Sequence, residues 1–196
     1  MHGRAGIKGD GKGATSRVHY GQNYSNAFWD DSCFCMTYGD GEGNKKPLTS
    51  IDVAAHEMSH GVTSATANLT YSGESGGLNE ATSDIFGTSV EFFAKNKEDA
   101  GDYLIGEKID IAGDGKPLRY MDKPSKDGQS LDSWTPDAAT STCTTPPASP
   151  TTFSTSCPRA AAPRRSAASS TTARPRTARR SRASAGTRPR RSGSRP

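Results

Sequence analysis

The sequence predicts an α+β fold, in which a few strands precede two helices, followed by a disordered C-terminal tail. Two observations predict the folded part. They are short aromatic and β-branched runs across residues 14–46, and apolar residues at helical spacing across roughly residues 50–64 and 76–95. A third observation, an abrupt change of composition, marks the tail. We therefore assign residues 1–140 to a folded domain and residues 141–196 to the tail.

The charge of the chain divides at the same boundary. The whole sequence has 25 Lys+Arg and 21 Asp+Glu, but residues 141–196 hold 12 Arg with no Lys and no acid. The tail therefore carries +12 and residues 1–140 carry −8. Phe153 is the only large apolar side chain of the tail, too little to offset chain entropy, so we expect disorder there. No apolar run approaches the length of a membrane span, and we expect no membrane partner.

Three short runs in the first part of the chain are predicted to be strands, the last two joined by a turn: Arg17–Tyr20, Asn26–Trp29 and Phe34–Tyr38. Cys33 and Cys35 lie at this turn and could be an oxidised pair, a metal site or two unrelated thiols. We favour unrelated thiols, because no other soft ligand lies nearby in the sequence.

Two helices are predicted downstream of these strands. The first begins at Thr49–Asp52, where a hydroxyl can cap the open amides and an acid follows in the first turn, and it runs for about 14 residues. The second spans Gly76–Lys95 and places four apolar residues on one stripe: Leu78, Ala81, Ile85 and Phe92. The glycine-rich segment Gly73–Gly77 is predicted to be the turn that reverses the chain between the helices.

The first helix carries the pattern His56-Glu57-Met58-Ser59-His60. Residues four apart lie on one helix face, so both imidazoles can bind one ion, and neutral imidazole suits Zn²⁺. Glu57 lies beside His56, where it can take a proton from a water molecule. Chance occurrence or a hydrogen-bonded histidine pair in the core are the alternatives.

A catalytic zinc site needs a third protein ligand, and we predict Glu80 for this role. Glu80 lies in Asn79-Glu80-Ala81-Thr82-Ser83-Asp84, so the chain must fold back to bring it to the histidines. Asp84 follows Glu80 by one helical turn and could orient a ligand imidazole through its free N–H. A solvated helix face is the alternative for Asp84.

With these two segments, and with the stretch from Asn26 to Arg119 in matching order, the sequence resembles the thermolysin-like neutral zinc metalloproteases of bacteria, and the actinobacterial members most. The resemblance implies a thermolysin-like fold and hydrolysis of internal peptide bonds. It implies roles for specific residues: zinc ligands His56, His60 and Glu80; base and proton shuttle Glu57; oxyanion donor Tyr71; ligand-orienting residues Asp84 and Asn79; and a substrate-carbonyl contact Arg119.

The resemblance also implies substrate and calcium contacts. Asn26 and Ala27 match the edge strand on which the family binds its peptide, as an added strand. Val53 and Leu118 match the side-chain pocket, so cleavage is expected before bulky apolar residues. Four acids match calcium ligands, although ordinary surface acids are an equal alternative: Asp52, Glu91, Asp102 and Glu107. Leu104 replaces a further family acid, so we expect one calcium ion rather than a pair.

The resemblance stops near residue 141. The family continues with a Val-His-x-x-Ser-Gly segment, which this chain lacks after His60. Codons for Thr142 to Arg165 can be chosen so that one added base yields Asp-Val-His-Tyr-Ser-Ser-Gly and a coherent continuation. We therefore interpret the tail as the product of a one-base loss between Ser141 and Thr142. Because the resemblance covers only the middle of a family enzyme, we expect a truncated, marginally stable and weakly active or inactive chain.

Two other functions remain as alternatives. One is a zinc-binding protein without catalysis, which keeps the ligands but lacks a complete cleft. The other is nucleic-acid binding by the arginine-rich tail, which is disfavoured because the tail has no interleaved aromatic residues. We expect peptide or protein substrates, no specific nucleic acid, a monomer, and secretion as the resemblance implies.

Overall fold

A small sheet and two packed helices carry the site in the computed structural model, which describes residues 3–128 and 130–134. The sheet contains β1 (Thr15–Arg17), β2 (Ala27–Asp30) and β3 (Cys35–Tyr38). The helices are α1 (Ile51–Ser64) and α2 (Gly73–Ala94). A second sheet pairs β4 (Leu104–Ile105) with β5 (Arg119–Tyr120). The predicted α+β class is confirmed, whereas the predicted tail at residues 141–196, with its proposed frame shift, lies outside the described residues.

The strand order in the main sheet is β1-β3-β2, which places β2 at an edge of the described sheet. β2 and β3 form an antiparallel hairpin in which Ala27 pairs with Tyr38 and Asp30 pairs with Cys35, whereas β1 runs parallel to β3. The first strand begins and ends earlier than predicted. It stops at Arg17 because His19 adopts a φ of 59°, which interrupts extended pairing.

A continuous apolar core joins the hairpin, α1 and the second sheet. Its buried members come from each of these parts: Ala27, Met36, Tyr38, Leu48, Val53, Ile105 and Ile109. Met36, Leu48 and Ile105 are 0% exposed. This core fixes the first half of α1 against the edge strand, and so it sets where the histidines of α1 lie.

Helix α1 has the predicted start and length, but its predicted capping is wrong. Ser50 precedes the helix without a side-chain hydrogen bond to it, and the Ser50 hydroxyl is buried without a hydrogen-bond partner. Asp52 uses one carboxylate oxygen to accept a 2.5 Å hydrogen bond from the backbone N–H of Gly106. The first turn of α1 is therefore held by tertiary contacts instead of a local cap.

Helix α2 differs from the prediction at its start. It begins at Gly73, so the glycine-rich segment forms its first turn, and the chain reverses across residues 65–72 with Asn68 at a φ of 47°. Its apolar stripe faces solvent, with Leu78 56%, Ile85 41% and Phe92 46% exposed. The face buried against α1 instead carries small and polar residues, among them Asn79, Glu80, Ser83 and Asp84.

Cys33 and Cys35 form a disulfide, so the preference for unrelated thiols is wrong. Phe34 between them has a φ of 52°, and the two cysteine Cα atoms lie 5.3 Å apart, within the range of bridged pairs. The reversal of the chain at the hairpin brings the two side chains together. Residue spacing alone does not reveal this backbone conformation.

Candidate active site

Helix α1 places His56 and His60 one turn apart on its buried face. Their Nε2 atoms lie 3.0 Å apart, and His56 is 2% exposed. The site therefore starts with two imidazole nitrogens that point at the same small volume.

Helix α2 brings Glu80 to the same place. One Glu80 oxygen lies 3.5 Å from His56 Nε2, and the other lies 3.5 Å from His60 Nε2. One ligand atom from each of the three residues lies within 4.8 Å of the others, and Glu80 is 1% exposed. The three residues form a group that could bind a metal ion.

Partners behind the histidines fix the orientation of both rings. His56 Nδ1 lies 2.7 Å from Asp84 Oδ1, and His60 Nδ1 lies 2.8 Å from Asn79 Oδ1. Because both partners accept hydrogen bonds through oxygen, each Nδ1 is the donor, and each Nε2 is the nitrogen that faces Glu80 and can bind a metal ion when it is deprotonated. Two imidazole nitrogens and a carboxylate facing one volume suit a cation of the zinc type.

The charges around the histidines move their pKa values in opposite directions. Burial acts to lower the pKa of His56, but the hydrogen bond and the charge of Asp84 outweigh it, and the net shift is upward. Burial and the positive charge of His56 lower the pKa of His60. His60 therefore stays neutral more readily than His56, which favours metal ligation.

Glu57 lies next to His56 on α1 and is 3% exposed. Burial, assisted by the negative charge of Glu80, raises the pKa of Glu57 to about 7, although His56, Arg119 and the backbone N–H of Trp29 act in the opposite direction. A carboxyl group with this pKa can both accept and release a proton near neutral pH.

Tyr71 contacts Glu80, and Arg119 contacts Asp84 behind the histidines. The Tyr71 hydroxyl donates a hydrogen bond to Glu80, and burial and this carboxylate raise the Tyr71 pKa, so the hydroxyl keeps its proton. Arg119 is 7% exposed and binds Asp84 through two nitrogens, Nε at 2.9 Å and Nη2 at 2.6 Å. Asp84 thus holds both a histidine and a guanidinium.

The residues predicted to bind substrate lie on the edge strand and in the core. Asn26 precedes β2, and its side chain accepts a hydrogen bond from the backbone N–H of Ala27. Val53 is 1% exposed and belongs to the apolar core, and Leu118 packs against that core. Val53 thus has almost no exposed surface in this structure, whereas Leu118 is only partly buried.

The predicted calcium ligands are brought together only in part. Glu91 and Glu107 form a possible metal-binding group with Asp99, a residue that the sequence analysis did not identify. Asp102 directs its carboxylate to the backbone N–H of Leu104 at 2.6 Å, and its own N–H donates to Glu91. Asp99 has no sequence signal beyond its place in an acid-rich stretch.

Buried carboxylate oxygens in this acidic group lack hydrogen-bond partners. They are Asp52 Oδ1, Glu91 Oε1, Asp99 Oδ1 and Glu107 Oε2, although Lys108 Nζ lies 3.5 Å from Asp99. Burial and neighbouring acids raise the pKa of Glu91 and of Glu107 to about 7. Carboxylate oxygens without a hydrogen-bond partner are ligands that a hard cation such as Ca²⁺ takes.

Sequence reasoning also missed Ser83 and Trp29. Ser83 Oγ lies 3.2 Å from His60 Nδ1, and Ser83 is 0% exposed. Trp29 packs against Gly61 of α1, where an added Cβ would lie 2.6 Å from the indole ring. The buried polar face of α2 could have indicated Ser83, whereas Trp29 had no signal beyond its place in a predicted strand.

Two family models match consecutive parts of this chain. Residues 1–64 match the family model for the catalytic domain of thermolysin metallopeptidases, and residues 67–145 match the model for its alpha-helical domain. The chain is 80% identical over 134 residues to a transglutaminase-activating metalloprotease of Streptomyces mobaraensis, covering 68% of this chain. It is 49% identical over 133 residues to thermolysin of Alicyclobacillus acidocaldarius subsp. acidocaldarius, covering 65% of this chain.

A solved structure extends the comparison to the fold. The precursor of protealysin, a metalloproteinase from Serratia proteamaculans, matches 63% of this chain with a TM-score of 0.54 and 40% sequence identity. The match covers 39% of that chain, and this chain spans only 17% of the Streptomyces relative and 23% of the thermolysin relative. Two consecutive family models, the sequence identities and the fold lead to one conclusion: the chain belongs to the thermolysin metallopeptidase family.

Proposed function

We propose that this chain carries the site of a zinc-dependent endopeptidase, which hydrolyses internal peptide bonds. The observation that carries the proposal is the convergence of His56, His60 and Glu80, with Glu57 beside them. Zinc, when bound by these three side chains, would polarise a water molecule and the scissile carbonyl group.

The protein residues have distinct tasks in this proposal. Glu57, with a pKa of about 7, takes a proton from the attacking water and delivers a proton to the leaving amine. Tyr71 keeps its hydroxyl proton and can donate it in a hydrogen bond to the developing oxyanion, after leaving Glu80. Asp84 and Asn79 hold the two imidazoles in the ligating orientation.

The edge strand and the neighbouring core are proposed to bind the substrate. A peptide that extends along β2, beginning at Asn26 and Ala27, would add a strand to the sheet. Leu118 is only partly buried and packs against the apolar core that contains Val53 of α1, and this apolar character supports a preference for bulky apolar residues just after the scissile bond. Arg119 is proposed to contact the substrate carbonyl from its position on Asp84.

The acidic group is proposed to bind one calcium ion. The unpaired oxygens of Asp52, Glu91 and Glu107 support this proposal, and Asp99 joins them as a further ligand. Asp102 supplies its negative charge and its backbone N–H to Glu91, and its carboxylate binds the backbone at Leu104.

We also propose that the protein is secreted and monomeric. The Cys33–Cys35 disulfide supports secretion, because disulfides persist in oxidising compartments. Among the described residues, no helix combines the length and the apolar character needed to cross a membrane.

The change of composition after residue 141 is proposed to result from a one-base loss in the gene. The match to the alpha-helical domain model ends at residue 145, close to the proposed position between Ser141 and Thr142, which supports the proposal. Sequencing the gene from several isolates is the test. An intact reading frame in every isolate would exclude the frame shift.

Glu57→Gln tests the catalytic proposal directly. The amide cannot accept the proton, so hydrolysis of a quenched-fluorescent peptide should fall about 10²- to 10⁴-fold while bound zinc, measured by atomic absorption, stays unchanged. Glu42→Gln is the matched control, because Glu42 is exposed in a short 3-10 helix outside the site. Equal hydrolysis by Glu57→Gln and the parent chain would refute the proposal. One bound zinc with no hydrolysis by either would instead favour the non-catalytic zinc-binding function.

A further inference from the structure

The β2–β3 hairpin ends in a small covalent ring formed by the Cys33–Cys35 disulfide around Phe34. Phe34 has a φ of 52°, a backbone region that residues other than glycine adopt infrequently. Cys35 is 1% exposed, whereas Cys33 lies at the surface. The ring therefore holds Phe34 in an unfavourable conformation, and a reductant can reach one of its sulfur atoms.

Side-chain contacts connect this ring to α1. The Phe34 ring packs edge-on against Trp29 at a centroid distance of 4.7 Å, and the Lys8 ammonium lies 3.9 Å from the Phe34 centroid. Trp29 in turn fills the space above Gly61, where an added Cβ would lie 2.6 Å from the indole. The backbone N–H of Trp29 also faces the Glu57 carboxylate. The conformation of Phe34 thus affects, through Trp29, the position of β2, which runs beside the proposed base Glu57.

We propose that the Cys33–Cys35 disulfide is a positioning element, which keeps β2 ordered against α1 before a peptide binds. This proposal rests on the proposed endopeptidase function. A water-soluble phosphine cleaves the disulfide in a balanced step: phosphorus gains an oxygen atom from water and is oxidised, and the two sulfur atoms are reduced to thiols. Phe34 can then relax to a negative φ and withdraw from Trp29, which loosens β2.

This loosening has a specific kinetic consequence. After reduction, only a fraction of the molecules hold β2 in the conformation that binds a peptide. Because the peptide binds only this fraction, KM rises, whereas kcat at saturating peptide is unchanged. Zinc affinity stays constant, because His56, His60 and Glu80 are held by contacts within and between the helices. A general loss of folded protein would instead lower the apparent kcat at unchanged KM.

Hydrogen–deuterium exchange of the full zinc-loaded chain tests the proposal before and after phosphine treatment. The experiment uses the Cys143→Ser/Cys157→Ser variant, in which Cys33 and Cys35 are the remaining cysteines, so that phosphine can reduce only their disulfide. The amides of residues 27–38 should exchange about tenfold faster after reduction, the order that loop-closure entropy gives for so short a ring. The amides of α1 should be unchanged, zinc affinity measured by chelator competition should be constant, and KM for a peptide should rise.

The Cys33→Ser/Cys35→Ser variant provides the control. It should exchange like the reduced parent chain and should not respond to phosphine. Unchanged exchange across residues 27–38, equal acceleration throughout α1, or a fall in kcat at constant KM would each overturn the positioning role. If the oxidised chain shows no hydrolysis, the endopeptidase function fails, and the exchange pattern alone decides the role of the disulfide.

Discussion

Replacing Asp84 with Asn removes a buried negative charge from the centre of the site. Asp84 is 2% exposed, accepts a bond from His56 at 2.7 Å, and binds Arg119 Nη2 at 2.6 Å. Asn has the same shape but no charge, so the substitution tests the electrostatic contribution with little change in packing. Both the Arg119 guanidinium and the His56 ring lose a hydrogen-bonded counter-charge, whereas the charge of Glu80 remains nearby.

The expected destabilisation follows from the burial of Arg119. Removing one partner of a buried ion pair costs about 3–5 kcal/mol, because the other charge is left uncompensated. A domain of ordinary stability has about 5–15 kcal/mol in total, so this loss is a large part of it. Because Asp84 also orients a proposed ligand, zinc affinity should fall about 10- to 100-fold.

The effect should depend on pH in a defined direction. Burial acts to raise the pKa of Asp84, but the charges of Arg119 and His56 outweigh it and hold the pKa below its ordinary value of 3.8. A carboxyl group with a lowered folded-state pKa stabilises the fold above its ordinary pKa, and this stabilisation is lost as the pH falls through the folded-state value. The difference between Asp84→Asn and the parent chain should therefore shrink in strong acid.

Urea unfolding at pH 7 in the presence of a chelator measures the stability loss, and chelator competition measures the zinc affinity. Asp122→Asn is the matched control, because Asp122 forms an exposed pair with Lys126 at 3.0 Å and should show no measurable change. Combining Asp84→Asn with Arg119→Gln should recover part of the lost stability. If Asp84→Asn has the stability and zinc affinity of the parent chain, the electrostatic reasoning is wrong.

Three further predictions concern the acidic group, the helix packing and the metal. Without calcium, the free energy of unfolding should fall as the pH rises from about 4.5 to about 7, because Glu57, Glu91 and Glu107 have raised pKa values. In urea titrations, added Ca²⁺ should remove the part of this fall that comes from Glu91 and Glu107, and a fall of equal size with and without Ca²⁺ would contradict the reasoning. Gly87→Ala should lower the free energy of unfolding, measured in urea, by about 1–3 kcal/mol, because the added Cβ would lie 2.7 Å from the Asp52 carbonyl oxygen. Gly13→Ala, with no atom within 4 Å of its Cβ, is the control, and equal effects would refute close helix packing. Zinc at a hundred times its Kd should stabilise the fold by about 2.7 kcal/mol, and a melting temperature unaffected by chelator would count against a folded-state metal site.

Local sequence patterns predicted the elements whose side chains follow a regular period. Helix α1 begins at Ile51 and ends at Ser64 as expected, because its apolar residues repeat at helical spacing and pack on the core. The juxtaposition of Glu80 with His56 and His60 was also anticipated, although the turn between the helices was misplaced. Spacing within one helix fixes relative side-chain directions, which is why this part of the site could be predicted.

Features set by tertiary contacts were not predictable in the same way. The stripe through Leu78 and Ile85 was identified as apolar, yet it faces solvent, because α2 turns its polar face to α1. Asp99 joins the acidic group only because the chain after α2 folds back to Glu91. The disulfide depends on the φ of Phe34, which no periodic pattern encodes.

The buried faces of α1 and α2 include several groups that also have a proposed chemical role, such as His56, Glu80 and Asp84. Ordinary helix pairs can exchange one aliphatic residue for another with little harm, which gives them mutational robustness. This pair has little such freedom, since an inward-facing substitution that disables the chemistry also weakens cohesion between the helices. Loss of activity in a variant at these positions is thus informative only when its folding has been measured independently. We therefore expect few substitutions to be tolerated at these positions.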